Sequence, residues 1–182
     1  MKITVRKFTV KDIKNWDEFV GQSNNGTIFH TRKFLSYHGT KRFLDHSLIF
    51  QKKGRLIALL PSARVIDGSL NILESHPGAS VGSFILPEDL SFSDSLEIVK
   101  VLSDYSIANN FDKIKITQPP LIYSKRISQY IDFAFRKANY YFLNREISSI
   151  LFLENSIENN LLKFKATHRT AVRKAEKSNI DI

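Results

Sequence analysis

The stretch SFSDSLEIVKVLSDYSIANNFDKIKIT, residues 91–117, decides the fold. Residues 91–110 place Leu96, Val99, Leu102, Tyr105 and Ile107 on an apolar helical face, and residues 113–117 alternate as a strand that ends at Pro119-Pro120. A helix that feeds straight into a strand predicts a parallel crossover, because antiparallel neighbours need only a tight turn. The class is therefore α/β (α+β), not all-β.

Upstream, residues 3–8 alternate as a strand, and residues 11–20 set Ile13, Trp16, Phe19 and Val20 at helical spacing. Asn24-Asn25-Gly26 is a turn signal, after which Thr31 caps a second helix that carries Phe34, Leu35 and Tyr37 and stops at Gly39. Residues 46–51 and 55–66 are strand-like runs around Lys52-Lys53-Gly54, and Asp67-Gly68 leads into residues 70–73, so a three-stranded antiparallel meander is expected. Residues 75–83 read as an irregular loop that runs on through residues 84–86 to Pro87.

Downstream, a helix is expected over residues 124–138, then strands at 140–143 and 147–153 joined as a hairpin by Asn144-Arg145-Glu146. Asn155 or Ser156 caps a last helical region, broken near Thr167 and closed by Asn179 in a left-handed conformation. Ile180-Asp181-Ile182 reads as the first residues of a further strand, so the expectation is that the natural protein continues.

Composition limits the function classes. With 182 residues, 42% of them hydrophobic and 14 of them Phe, the chain can bury a real core. It has no cysteine, which excludes disulfides, thiolate metal sites and cysteine nucleophiles. Residues 1–10 lack the continuous apolar core of a signal peptide and no stretch nears membrane-span length, so cytoplasmic residence is expected, with no transmembrane segment. The formal charge is +9, and residues 163–177 carry six cations against the single Glu176, over half of that excess. Nucleic acid, anionic lipid and phosphorylated substrates are the partner classes this charge favours.

The order of elements resembles the GNAT acyltransferase fold, and local patterns are similar to its FemAB-like branch. They are Ile28-Phe29-His30-Thr31-Arg32-Lys33-Phe34-Leu35 opening the second helix, Leu59-Leu60-Pro61 at a strand end, His76-Pro77-Gly78 through Gly82, and Arg169-Thr170-Ala171-Val172-Arg173-Lys174-Ala175. The last is the most specific. Ser83 stands where that loop commonly has a second glycine, and Ser178-Asn179 replaces the usual Lys-Gly ending.

The resemblance implies a GNAT-like mixed, mostly antiparallel central sheet flanked by helices. It implies an N-terminal lobe at 1–154, a basic helical connector at 155–179, and the start of a second GNAT-like lobe at 180–182. It further implies transfer of an acyl or aminoacyl group to an amine or hydroxyl of an acceptor such as a cell-envelope precursor, with the missing C-terminal lobe as partner. The donor for the full-length protein would be acyl-CoA or aminoacyl-tRNA, and the fragment alone is expected to be inactive.

Set beside the resemblance, the residues add one negative and one positive signal. The resemblance implies that a CoA-binding GNAT-like domain cradles the pyrophosphate with backbone N–H groups of a glycine-containing loop before the helix that begins here near Ser91; all seven glycines lie at or before Gly82, so that loop is missing and no cofactor is expected in this lobe. Lys165, Arg169, Arg173 and Lys177 recur every four residues along one helix face, where they can grip an anionic small molecule, a precursor or tRNA. An ordinary solvated helix face has the same spacing.

His76 and Gly78 are the other substrate-binding candidates, in the loop beside a strand end, although a turn histidine is the plainer account of His76. The remaining histidines, His30, His38, His46 and His168, fit no metal or nucleophile pattern, and no catalytic residue is assigned. The alternative to a transferase lobe is a non-catalytic module whose basic helix binds nucleic acid or another polyanion.

Overall fold

The structure, a computed structural model, describes residues 2–37, 39 and 42–178. His38, Asn179 and residues 180–182 lie outside it, and with them the left-handed closure and the further strand expected there. The chain divides into two compact units, Met1–Leu143 and Asn144–Ile182.

The first unit is built around a long hairpin that breaks halfway. Strand β1 (Ile3–Lys7) pairs antiparallel with β3 (Leu48–Lys52), which pairs with β4 (Arg55–Leu60). Lys53 and Gly54 both take positive φ, 51° and 74°, as a two-residue hairpin turn of this hand requires. At Pro61, which has no N–H to give a ladder, the chain leaves this sheet and continues as β5 (Ser62–Asp67) in a second one. The partner strand breaks opposite it, at His46-Ser47, between β2 (Leu44–Asp45) and β3.

Serine hydroxyls bridge the gap. Ser62 Oγ donates to the His46 carbonyl at 2.7 Å, and Ser62 N–H donates to Ser47 Oγ at 3.3 Å. The second sheet runs β2-β5-β6-β7, with β6 at Leu70–Ser75 and β7 at Lys113–Lys115. The expected meander is thus two hairpins in two sheets, because a proline in mid-run ends one ladder. The expected crossover is present: β6 and β7 are parallel, with Leu73 opposite Ile114.

Helices cover both faces. Helix α1 (Ile13–Gln22) buries Trp16 and Val20 against Ile49, Leu59 and Ile85, together with Leu35 from α2 (Arg32–Leu35). Helix α2 is a single turn, capped as expected by Thr31 Oγ1, which accepts from Phe34 N–H at 3.2 Å. On the other face α3 (Phe92–Ala108) and α4 (Tyr130–Lys137) pack Ile98, Leu102 and Phe135 on Leu48, Phe50, Leu60 and Leu73. Alternate residues of β3 and β4 therefore serve opposite faces, as the two-residue strand period demands.

Helix α4 begins later than the expected residue 124, after a 3-10 turn at Leu121–Tyr123. In the half without glycine, Asn110 and Asn139 take the left-handed positions after α3 and α4, with φ of 57° and 63°.

The expected hairpin of residues 140–143 and 147–153 is a correction: no ladder forms there among the described residues. Alternating side chains supply a strand's faces but not its partner, and these segments are exposed or, at Tyr140, half-buried. In the second unit α5 (Ile157–Leu162) is capped by Ser156 Oγ, which accepts from Asn159 N–H at 3.1 Å, and α6 (Ala166–Lys177) follows a break at 163–165.

Candidate functional site

Asn24-Asn25-Gly26, read from sequence as a turn, organises a cleft in the first unit. Residues 84–86 add to the first sheet through Ile85, whose N–H donates to the Leu59 carbonyl at 2.8 Å. The opposite edge of that segment, where a further strand would pair, is taken by asparagine. Asn25 Nδ2 donates to the Phe84 carbonyl at 2.7 Å, and Asn25 Oδ1 accepts from Leu86 N–H at 2.9 Å. Asn24 N–H donates to the Leu86 carbonyl at 2.8 Å.

The Asn24 amide reaches the other wall, donating to the Arg126 carbonyl at 2.9 Å and accepting from Arg126 N–H at 2.7 Å. Gly26 permits this turn, since a Cβ there would stand 2.1 Å from the Val20 carbonyl oxygen.

Between these walls lies a cleft of about 140 Å³, with Pro87, Leu90, Leu121 and Ile131 as apolar lining. Its polar lining includes Glu88, Gln118, Arg126 and Asp132. Gln118 Nε2 donates to Asp132 Oδ1 at 2.8 Å, which orients both, while the exposed Arg126 guanidinium reaches the Glu88 carbonyl at 3.4 Å. The cleft can seat a small polar molecule, with an amide, a carboxylate and a guanidinium to contact it. Sequence reasoning assigned none of these residues to a site. A turn signal followed by bonds to partners about sixty and a hundred positions away leaves no local trace.

Two lining residues, Ser83 and Gln118, adjoin Gly82 and Thr117, which belong to a chain of bonds that starts at the fully buried His30. Its Nδ1 accepts from Thr27 N–H at 3.0 Å, so the ring proton sits on Nε2 and faces the Gly82 carbonyl at 3.2 Å. Burial lowers the His30 pKa, outweighing the Gly82 contact that raises it. Gly82 N–H in turn donates to the Thr117 carbonyl at 2.9 Å, and Thr117 N–H to Ser75 Oγ at 2.7 Å. This chain of bonds ties the loop after β6 to the end of β7. Gly82 is required there, because a Cβ would come within 2.8 Å of Ser75 Oγ. Ser83, where a glycine was noted as common, takes a left-handed φ of 71°.

Of the residues singled out from sequence, His76 and Gly78 share the turn after β6. His76 is buried, its ring set edge-on to Phe43 with centroids 5.4 Å apart, and Gly78 is half-buried. Lys165, Arg169, Arg173 and Lys177 belong to the second unit. Lys165 caps α6, and Arg173 and Lys177 are exposed on it. Arg169 instead turns inward, donating to the carbonyls of Leu162 and Phe164 at 3.2 and 3.1 Å, where it closes the end of α5.

The N-terminus of α3 carries its own anion. Ser91 Oγ accepts from Asp94 N–H at 3.1 Å, and the Asp94 carboxylate, in the first helical turn, pairs with Lys52 at 2.5 Å. Among the described residues no three His, Asp or Glu side chains cluster as metal ligands, and no helix is long and apolar enough to cross a membrane.

These features sit on a framework with solved counterparts. A ribosomal-protein-alanine N-acetyltransferase from Brucella melitensis biovar Abortus superposes with a TM-score of 0.51 at 11% identity, over 84% of this chain and 100% of its own. A GNAT family acetyltransferase from Staphylococcus aureus gives 0.52 at 10% identity, over 83% and 100%. The fold is GNAT-like. At such identities the likeness concerns the GNAT-like framework alone. No protein-family model and no curated protein matches the chain.

Proposed function

We propose that this chain is the acceptor-binding lobe of a FemAB-like acyl- or aminoacyltransferase, and that the donor is held elsewhere in the full-length protein. The observation that carries the reading is the start of α3 in a GNAT-like fold. A phosphate-bearing donor would meet the Asp94 carboxylate there, with no glycine after Gly82 to bring backbone N–H groups close. The edge of residues 84–86 supports it, because Asn24 and Asn25 already engage three of its polar groups. What stays open is the cleft lined by Gln118, Arg126 and Asp132, which suits a small polar acceptor.

In this reading the acceptor's amine nitrogen bonds to the activated acyl carbon, the bond from that carbon to the donor's sulfur or ribose oxygen breaks with its electron pair going to the leaving atom, and the proton lost by the amine is made up on that atom through solvent. The lobe contributes position, not covalent chemistry.

Calorimetric titration of the chain with acetyl-CoA tests the proposal. No saturable heat is expected. One-to-one binding with a Kd in the range of about 1 µM to 1 mM usual for enzyme substrates refutes it. For the two-lobe part, the gene beyond residue 182 is expected to encode a second GNAT-like pattern, and an immediate stop codon overturns that part.

A further inference from the structure

Asn25-Gly26 is the only Asn-Gly pair in the chain, and the fold demands both of its members. Asn25 supplies the amide that bonds the Phe84 carbonyl and the Leu86 N–H, at 2.7 and 2.9 Å, and is itself 8% exposed. Gly26 passes so near Val20 that a Cβ would stand 2.1 Å from the Val20 carbonyl oxygen. The same pairing is the one most open to attack by the backbone on a side-chain amide. Glycine sets no Cβ beside its own nitrogen and leaves the chain free to swing, and the Gly26 N–H has no hydrogen-bond partner among the described residues. What withholds the reaction is the clamp. With Nδ2 and Oδ1 both bonded to residues 84–86, the Asn25 amide is free to turn towards Gly26 only when both bonds open.

We propose that Asn25-Gly26 is a deamidation site that the folded state holds in check, and that its conversion dismantles one wall of the cleft. The Gly26 nitrogen attacks Asn25 Cγ, forming a Cγ–N bond and losing its proton to solvent. The Cγ–Nδ2 bond breaks, the leaving nitrogen takes up a proton, and ammonia departs. Water then adds to one carbonyl carbon of the resulting imide ring, the ring C–N bond at that carbon breaks, and the Gly26 nitrogen regains a proton. Opening at Cγ leaves aspartate, and opening at the Asn25 main-chain carbon leaves isoaspartate.

Neither product can close the clamp. Aspartate turns an oxygen to the Phe84 carbonyl where the amide had a donor, and a buried acceptor facing another acceptor is unpaired. Isoaspartate also lengthens the main chain by a methylene, at the turn where Gly26 already abuts Val20. Asn24 and Asn25 both line the cleft, so the loss is felt there. Asn24 is an internal control, since the residue after it carries a side chain. The inference does not depend on what the cleft binds.

Peptide mapping by mass spectrometry tests it, on the full 182-residue chain kept at neutral pH with and without denaturing urea. Labelling with an isoaspartyl methyltransferase identifies the second product. In urea, Asn25 is expected to deamidate faster than every other asparagine, and Gly26→Ala, compared in urea where folding does not enter, should slow it to their rate. In the folded chain the Asn25 rate should fall by at least roughly thirtyfold, the population of an opening that breaks two buried bonds. The deamidated chain, separated by ion exchange and returned to native buffer, should unfold at lower urea than the parent, as Asn25→Asp should. Three results overturn the proposal: Asn25 no faster than the other asparagines in urea, a folded rate equal to that in urea, or a deamidated chain with the parent's unfolding midpoint.

Discussion

Replacing Asn25 by Ala removes both bonds that close the outer edge of residues 84–86. Asn25 is 8% exposed, so water has poor access to the Phe84 carbonyl and the Leu86 N–H once the amide is gone. A buried polar group left unpaired costs about 1–3 kcal/mol, so two of them put the expected loss at about 2–6 kcal/mol. In urea unfolding at pH 7, a loss of about 4 kcal/mol over a slope of about 2 kcal/mol/M should lower the midpoint by roughly 2 M without a change in slope. Asn25→Asp sharpens the test. Its carboxylate still accepts from Leu86 N–H but turns an oxygen towards the Phe84 carbonyl in place of a donor. Protonation restores the donor, so the folded state raises this carboxyl's pKa, and the variant's deficit should shrink as pH falls from 7 towards 4. A cost below about 0.5 kcal/mol for Asn25→Ala, or an Asn25→Asp deficit that does not vary with pH, refutes the clamp.

His46 is held down to about 4 by burial, then by Lys7 and Arg64. Its folded pKa lies below the unfolded value near 6.5, so its stabilising contribution is full above that pH and is lost between about 6.5 and 4. After allowance for solvent screening that is about 1–3 kcal/mol, and urea unfolding of His46→Gln should show a flatter acid slope than the parent. Gly82→Ala should destabilise by about 1–3 kcal/mol, and Ser75→Ala should not rescue it, because the Ser75 Cβ itself stands 2.9 Å from the new methyl. Arg169→Ala should lower far-UV helicity by detaching α6 from the carbonyls of Leu162 and Phe164, whereas Arg173→Ala should not. Equal spectra for those two variants would contradict the inward placement of Arg169.

The elements that sequence reveals are those whose cause is local. Period and caps locate β1, α1, α3 and α6, and the step from residues 91–110 into 113–117 announces the parallel crossover of β6 and β7. The sheet switch at Pro61 is hidden, because residues 55–66 read as one apolar run and the matching break at His46-Ser47 belongs to the partner strand. The alternation of 147–153 is equally plain in sequence, but a strand exists only when another edge accepts it. The four-residue spacing of Lys165, Arg169, Arg173 and Lys177 identifies the helix face, not which cation the end of α5 takes. His30 and Arg32, in a segment that resembles a family signature, serve packing. His30 faces Gly82, while Arg32 lies over the Phe8 ring at 3.8 Å and pairs with Asp45.

The same economy in glycine shapes both the fold and the reading of its function. Where a backbone needs left-handed φ after Gly82, Ser83, Asn110 and Asn139 supply it, so the missing glycines do not prevent the GNAT-like architecture. What they remove is the bare backbone that lets a polyanion approach a helix end, and at α3 the vacancy is filled by Ser91, Asp94 and Lys52. Side chains from Asn24 and Asn25 fill the neighbouring strand edge in the same manner. Two surfaces that would otherwise offer unpaired N–H and C=O groups are thus satisfied from within. Open polar groups of the first unit remain at the cleft, on Gln118, Arg126 and Asp132, and that difference is what supports the proposal that this unit binds an acceptor and not a donor.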